Sequence, residues 1–124
     1  ITGDLALLHD TNGFLTKRFC KGSLTIILVN NNGGGIFEML PVARFNPPFE
    51  KYFATPQGID FAQLCRTYGV SHRMMRNWNQ FQKAVKNLPS SGIRVLEIQT
   101  DRTKDAVLRQ HLLNAVGSSL RMVK

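Results

Sequence analysis

Two short stretches carry residues that could do chemistry together: Gly3-Asp4-Leu5 near the start of the chain, and VNNNGGGIF over residues 29–37. A carboxylate from the first and an amide oxygen from the second are hard oxygen donors. Small divalent ions such as Mg²⁺ take such donors and leave their remaining positions to water and substrate phosphates. Three asparagines followed by three glycines do not suit the middle of a helix or strand, because glycine loses too much backbone freedom there and asparagine competes for backbone hydrogen bonds. Glycines beyond the amide instead let the backbone approach a ligand closely, with carbonyls toward an ion and N–H groups toward phosphate oxygens. The pattern predicts a site for a metal and a diphosphate; the alternative is that Gly-Asp is only a common turn dipeptide and NNNGGG only a loop with left-handed residues. It is neither a Walker A loop nor a Rossmann GxGxxG, since no Gly-Lys-Ser/Thr occurs and Gly33, Gly34 and Gly35 are consecutive.

The elements that must position these residues are legible on either side of them. LTIILV, residues 24–29, is an unbroken apolar and β-branched run that reads as a strand buried on both faces. A polar, glycine-rich turn at the carboxyl end of such a strand is where open α/β sheets place their ligands. Ile1-Thr2 reads as the clipped end of an opening strand. Residues 5–14 read as a helix of about ten residues, with Leu7, Leu8 and Leu15 at helical spacing and Gly13 and Lys17-Arg18 at its far end. In residues 36–58, Pro41, Pro47, Pro48 and Pro56 exclude a long helix or a central strand. Phe37, Phe45, Phe49, Tyr52 and Phe53 demand burial in the same segment, which predicts an ordered, functional loop. Asp60 should cap a helix over 61–68 that Gly69 stops. A short strand follows over 70–75, and Asn77 should cap a helix over 78–86. Residues 93–99 alternate as a half-buried strand, and Asp101 should cap a helix over 102–116 with Val107, Leu108, Leu112 and Val116 on one side. Residues 117–124 carry no strong signal. Strands separated by helices imply βαβ crossovers, hence an α/β three-layer sandwich with a mostly parallel sheet. In such a sheet both chemical turns lie on one carboxyl edge.

A chain of 124 residues, 43% of them hydrophobic, suits one compact domain. No apolar run approaches the roughly 20 residues of a bilayer span, and no signal peptide opens the chain. The opening ITGDLALL, without an initiator Met, reads as part of a longer protein truncated at its amino end. Cys20 and Cys65 are too far apart for a zinc or redox motif, which suggests a reduced, intracellular setting. Net charge is +8, and residues 61–96 hold Arg66, Arg73, Arg76, Lys83, Lys86 and Arg94 with no acidic residue. Such a stretch could track nucleic-acid phosphates or could be a solvated face. Its scatter over two elements, without interleaved aromatics, favours the solvated face, so a nucleic-acid partner is not expected. His9 and Asp10 are adjacent on one helix and point to different faces. His72 and His111 stand alone, both cysteines read as core or surface residues, and Met74-Met75 and Trp78 read as packing. Glu38 is the remaining carboxylate near the proposed site.

Gly-Asp followed 27 positions later by Asn-Asn, from Asp4 to Asn31, resembles the thiamine diphosphate and Mg²⁺ motif summarised as GDG…NN. GDLALLHDTNG, VNNNGGGIFEMLP and FATPQGIDFAQLCRTYGV then look like the carboxyl-terminal part of the 2-succinyl-5-enolpyruvyl-6-hydroxy-3-cyclohexene-carboxylate synthase family, thiamine-dependent enzymes of menaquinone and phylloquinone biosynthesis. The similarity covers most of the chain and weakens after about Met75. Leu5 departs from the general GDG pattern but fits this family. The resemblance implies that Asp4, the side chain of Asn31 and the carbonyl of Gly33 bind Mg²⁺. It implies that Gly3, Leu5, Ala6, Gly34 and Gly35 line the diphosphate, and that Ile36, Phe37 and Leu40 lie under the thiazolium and the bound intermediate. The implied reaction is decarboxylation of 2-oxoglutarate on the cofactor, then addition of the resulting acyl carbanion equivalent to isochorismate. The glutamate that activates the aminopyrimidine, and the substrate-binding arginines, would come from a separate amino-terminal domain, the glutamate across a subunit interface. This chain would then contain no catalytic residue, and the whole enzyme would be at least a dimer, cytoplasmic in a bacterium or cyanobacterium or plastidic in a photosynthetic eukaryote. A non-catalytic α/β interaction domain of the same fold, or a basic nucleic-acid-binding module, are the rival readings.

Overall fold

A computed structural model of the chain describes residues 1–121. Among the described residues four strands form, β1 (Thr2–Gly3), β2 (Ser23–Asn30), β3 (Ser71–Met74) and β4 (Gly92–Gln99), together with helices α1 (Asp4–His9), α2 (Phe61–Thr67), α3 (Trp78–Lys86) and α4 (Arg102–Arg121). The strands pair in the order β1-β2-β4-β3, every neighbour parallel. The chain divides into two compact units: residues 1–30 with 58–99, and residues 31–57 with those from Thr100 onward.

In the first unit, alternate β4 side chains serve opposite faces of the sheet. Ile93 and Val95 join Leu7, Phe14, Leu28, Phe61, Cys65 and Val70 in one core. Leu96 joins Met75 and Ala84, with Phe81, Val85 and Ile98 packed against them, in the other. Helices thus cover both faces, and the three-layer α/β arrangement expected from the sequence is present. The expected caps are also present. Asp60 Oδ1 accepts the N–H of Gln63 at 3.0 Å and Asn77 Oδ1 accepts the N–H of Gln80 at 2.9 Å. Gly69 takes φ +62° just past α2, a conformation that favours glycine.

Several expectations are corrected. The helix foreseen over 5–14 stops at His9 and continues as a 3₁₀ segment over Thr11–Phe19. Thr11, Asn12 and Gly13 are poor α-formers, and Asp10 and Gly13 N–H groups bond three residues back, to Leu7 and Asp10 carbonyls. Phe14 rather than Leu15 turns inward. The two long strands exchange their expected burial: β2 is only partly covered, with Leu28 its one buried residue, whereas β4 buries Val95, Leu96 and Glu97 in succession. β4 is flanked by strands on both sides over Arg94–Glu97 and has a core on each face, whereas β2 has β1 beside it only at Leu28 and Val29, and this outweighs the alternation read from IRVLEIQ. Trp78 is exposed and stacks on Phe81 at 5.3 Å between centroids. Arg94 leaves the basic surface, donating to Thr25 Oγ1 and the Ala84 carbonyl.

In the second unit, residues 36–58 contain no strand and no long helix, as the prolines require. Short 3₁₀ turns occupy Gly35–Met39 and Pro41–Arg44, and a π-turn occupies Glu50–Ala54. Phe49 is buried and stacks on Phe53, which Phe37 meets edge-on at 5.9 Å, but the burial expected of all five aromatics fails for Phe45, Tyr52 and Phe53, which remain exposed. Asp101 caps α4: its Oδ1 accepts the Thr103 hydroxyl at 2.7 Å and the N–H groups of Lys104 and Thr103 at 3.1 Å. The hydroxyl contact first, then the Lys104 amide, hold this carboxyl down to about 2, so the cap stays charged until pH falls toward that value. Helix α4 continues beyond 116, to Arg121; residues 122–124 lie outside the described residues. Val107, Leu108, Leu112 and Val116 are exposed rather than packed. Among the described residues, no helix is long and apolar enough to cross a membrane.

Cys65 is fully buried, and burial, with the Glu97 charge adding to it, pushes its thiol up to about 11; Cys20 is exposed. Because the thiolate is the reactive form, iodoacetamide at pH 8 is expected to label Cys20 and spare Cys65 in the native state. Mass spectrometry of the alkylated protein checks this, and equal labelling of both would contradict the burial.

Candidate functional site

Within the first unit the register of β1 on β2 places the Gly3-Asp4 turn. Thr2 pairs with Leu28 and Gly3 with Val29, so the two parallel strands end at the same level of the sheet's carboxyl edge. Asp4 follows one strand end as the first residue of α1, and it is buried at 4% exposure. Asn30 closes the other strand. Gly3 and Ala6 are exposed and Leu5 is half-buried.

The second unit begins at Asn31, and its three glycines have distinct steric reasons. A Cβ on Gly33, where φ is +133°, would stand 2.3 Å from the Ala54 carbonyl oxygen; one on Gly34 would stand 2.5 Å from the Phe53 carbonyl oxygen and 2.8 Å from the Phe37 ring. Those clashes involve backbone and would force the turn away from residues 53–54. At Gly35 the obstacle is different: a Cβ would lie 2.5 Å from Asn31 Nδ2. Absence of a side chain at Gly35 is what lets the Asn31 carboxamide lodge there. The turn is also internally bonded, Gly34 N–H to the Ala54 carbonyl at 2.7 Å and Gly35 N–H to the Gly33 carbonyl at 2.9 Å. Two of the amides considered as phosphate donors are thereby engaged within the turn. Ile36 and Leu40 are exposed and Phe37 is half-buried.

Carboxylate, carboxamide and backbone carbonyl oxygens are hard donors of the kind that Mg²⁺ takes and zinc and copper less often do. Among the described residues, no three His, Cys, Asp or Glu side chains cluster as a metal site.

Two polar clusters were not foreseen. His72 does not stand alone: its Nε2 lies 2.6 Å from Glu97 Oε2, and Glu97 Oε1 accepts from Asn30 Nδ2 at 2.7 Å. This buried set crosses β3, β4 and β2 and ties down the residue immediately before Asn31. A glutamate in the middle of the apolar strand IRVLEIQ was the available signal, since a buried carboxylate requires partners. Glu38, the uncommitted carboxylate of the sequence reading, is ion-paired with Arg102, whose Nη2 also donates to both carboxylate oxygens of Glu50 at 2.5 and 2.7 Å. That engagement removes Glu38 as a candidate acid or base.

Comparison with known proteins gives a consistent picture. The family model described as "Thiamine pyrophosphate enzyme, C-terminal TPP binding domain" matches residues 1–98. Among curated relatives, a protein of Rippkaea orientalis is 60% identical over 117 residues, 94% of this chain and 20% of its own length. One of Trichodesmium erythraeum is 66% identical over 106 residues, 86% of this chain and 18% of its own length. One of Microcystis aeruginosa is 65% identical over 102 residues, 82% of this chain and 18% of its own length. Each is named 2-succinyl-5-enolpyruvyl-6-hydroxy-3-cyclohexene-1-carboxylate synthase. The likeness therefore runs well past Met75, and the chain spans about a fifth of the length of these curated relatives.

Proposed function

This chain belongs to the family of thiamine pyrophosphate enzyme C-terminal TPP-binding domains, and from that premise we propose that it supplies the diphosphate- and Mg²⁺-binding part of a longer, multidomain synthase. Asp4, the Asn31 carboxamide and the Gly33 carbonyl form the ion's protein ligands. Gly3, Leu5, Ala6, Gly34 and Gly35 line the diphosphate, and Ile36, Phe37 and Leu40 form the apolar floor beneath the thiazolium. The observation that carries this reading is the Gly3–Val29 register, which ends both motif-bearing strands at one level. The lodging of Asn31 against Gly35 supports it.

The thiamine cofactor, when bound, serves as the electron sink for cleavage and formation of a bond next to a carbonyl. What this chain's residues contribute is binding and orientation. Asp4 neutralises part of the ion's charge, Asn31 and Gly33 fix its direction without adding charge, and the exposed Ile36 and Leu40 offer apolar surface from which a closing domain can exclude water. The substrates of the whole protein are 2-oxoglutarate and isochorismate, in menaquinone or phylloquinone biosynthesis. Its activating glutamate and substrate-binding arginines lie on another domain, with the glutamate reaching across a subunit interface of at least a dimer. The location is the cytoplasm of a bacterium or cyanobacterium, or a plastid.

The test incubates the natural gene product with thiamine diphosphate, Mg²⁺, 2-oxoglutarate and isochorismate and follows carbon dioxide release. Turnover that requires all four is expected, and its absence from a folded, cofactor-loaded protein would refute the proposed reaction. The 124-residue chain alone is expected to release none, because it lacks the base assembly.

Gly35→Ala separates ligand placement from folding. Its new methyl group meets the Asn31 amide, which can move, and stands 3.2 Å from Arg102 Cβ, which must give by a few tenths of an ångström, so stability should fall less than for a backbone clash, while the displaced Asn31 should weaken Mg²⁺-dependent thiamine diphosphate binding by about tenfold or more. Calorimetric titration against Gly33→Ala, which clashes with backbone and should lose stability as well, checks the distinction.

A further inference from the structure

We infer that helix α4 is a splint for the cofactor-facing turn, with Arg102 and Arg109 as its positioning residues. This deepens the proposed function and rests on it for the identity of the ligand. Arg102 is the first residue of α4, and its guanidinium is largely enclosed. One arm of its fork pairs with Glu38, which stands between Phe37 and Leu40, and the other holds Glu50 at the start of the π-turn. The Glu50 hydrogen bonds, then the Glu38 pairing, keep Arg102 above the ordinary arginine range against the cost of burial. Two helical turns on, Arg109 Nη2 donates to the Gly35 carbonyl at 3.1 Å. A spacing of seven puts both arginines on one face of a rigid helix. That helix therefore grips Gly35–Met39 twice, at the Gly35 carbonyl and at the Glu38 carboxylate.

The grip matters because Gly35–Met39 is a short 3₁₀ turn with few bonds of its own, and such turns do not hold their shape unaided. The backbone that carries the ligand-lodging Gly35 and the apolar floor residues is fixed from outside. Arginine suits this use and lysine does not: a planar fork satisfies two carboxylates at once, whereas an ammonium is a single point of charge.

The experiment uses the natural gene product with Arg102→Lys at the half-buried position and, as a second variant that leaves the enclosed ion pairs intact, Arg109→Ala at an exposed one. Thiamine diphosphate affinity is measured by calorimetry at saturating Mg²⁺, and amide exchange is measured on the cofactor-free protein. Folded variants are expected to bind thiamine diphosphate about tenfold more weakly for Arg102→Lys and severalfold more weakly for Arg109→Ala, as loss of supporting contacts typically does. Exchange should accelerate in Gly35–Met39 while β2 and β4 stay protected. Wild-type affinity in both folded variants, or full rescue of binding by lysine at 102, would overturn the splint. If wild-type protein itself binds no thiamine diphosphate, the proposed function falls, and exchange alone decides: selective acceleration in Gly35–Met39 upholds the splint and unchanged exchange refutes it.

Discussion

Asp4→Ala is expected to abolish Mg²⁺-dependent thiamine diphosphate binding while leaving the sheet folded. Among the three proposed protein ligands Asp4 alone carries charge, and it stands at 4% exposure, where an electrostatic contact is far stronger than in bulk water. The loss should exceed the roughly 10- to 100-fold that supporting contacts contribute to metal sites, because a direct ligand is removed. Asp4→Asn keeps an oxygen donor without the charge and should fall between wild type and alanine. Titration of each variant with thiamine diphosphate, in excess Mg²⁺ and again in chelator, reads the effect, and circular dichroism confirms the fold. Wild-type affinity in folded Asp4→Ala would remove the metal assignment whatever the family membership.

His72→Ala should cost about 3 kcal/mol of stability, the scale for breaking one side of a buried ionic or hydrogen-bonded pair. Glu97 is 3% exposed, and without the imidazole its carboxylate keeps only the Asn30 amide among the contacts described above. Glu97→Gln, which keeps an acceptor for Asn30 and removes the charge, should cost less. Urea unfolding followed through the single tryptophan, Trp78, measures both. A loss below about 1 kcal/mol for His72→Ala, the level of an ordinary hydrogen bond, would mean that water replaces the imidazole readily. Because Asn30 directly precedes Asn31, the same variant should also loosen the entry to the glycine turn.

Much of the architecture was written locally. Asp60, Asn77 and Asp101 each announce a helix because a cap needs only its own side chain and an amide two or three residues on. The β2 run and the two turns were legible for the same reason, since strand propensity and glycine chemistry act over a few residues. The prolines of residues 36–58 excluded long elements without reference to anything distant.

What the chain could not announce depended on contacts across long separations. How far an apolar strand is covered depends on the length of its neighbours in the sheet, so β4, flanked on both sides over Arg94–Glu97, proved more buried than β2, which β1 flanks only at Leu28 and Val29. Glu97 met His72 and Asn30 only because the β3–β4 and β2–β4 registers bring together residues 25 and 67 positions apart. Arg102 found Glu38 and Glu50, 64 and 52 positions away, through the docking of α4 on a turn whose sequence names no partner. Local propensity fixes which backbone each segment adopts. The pairing of buried charges is chosen by the packing that encloses them, because only there does an unpaired charge become costly enough to select its partner.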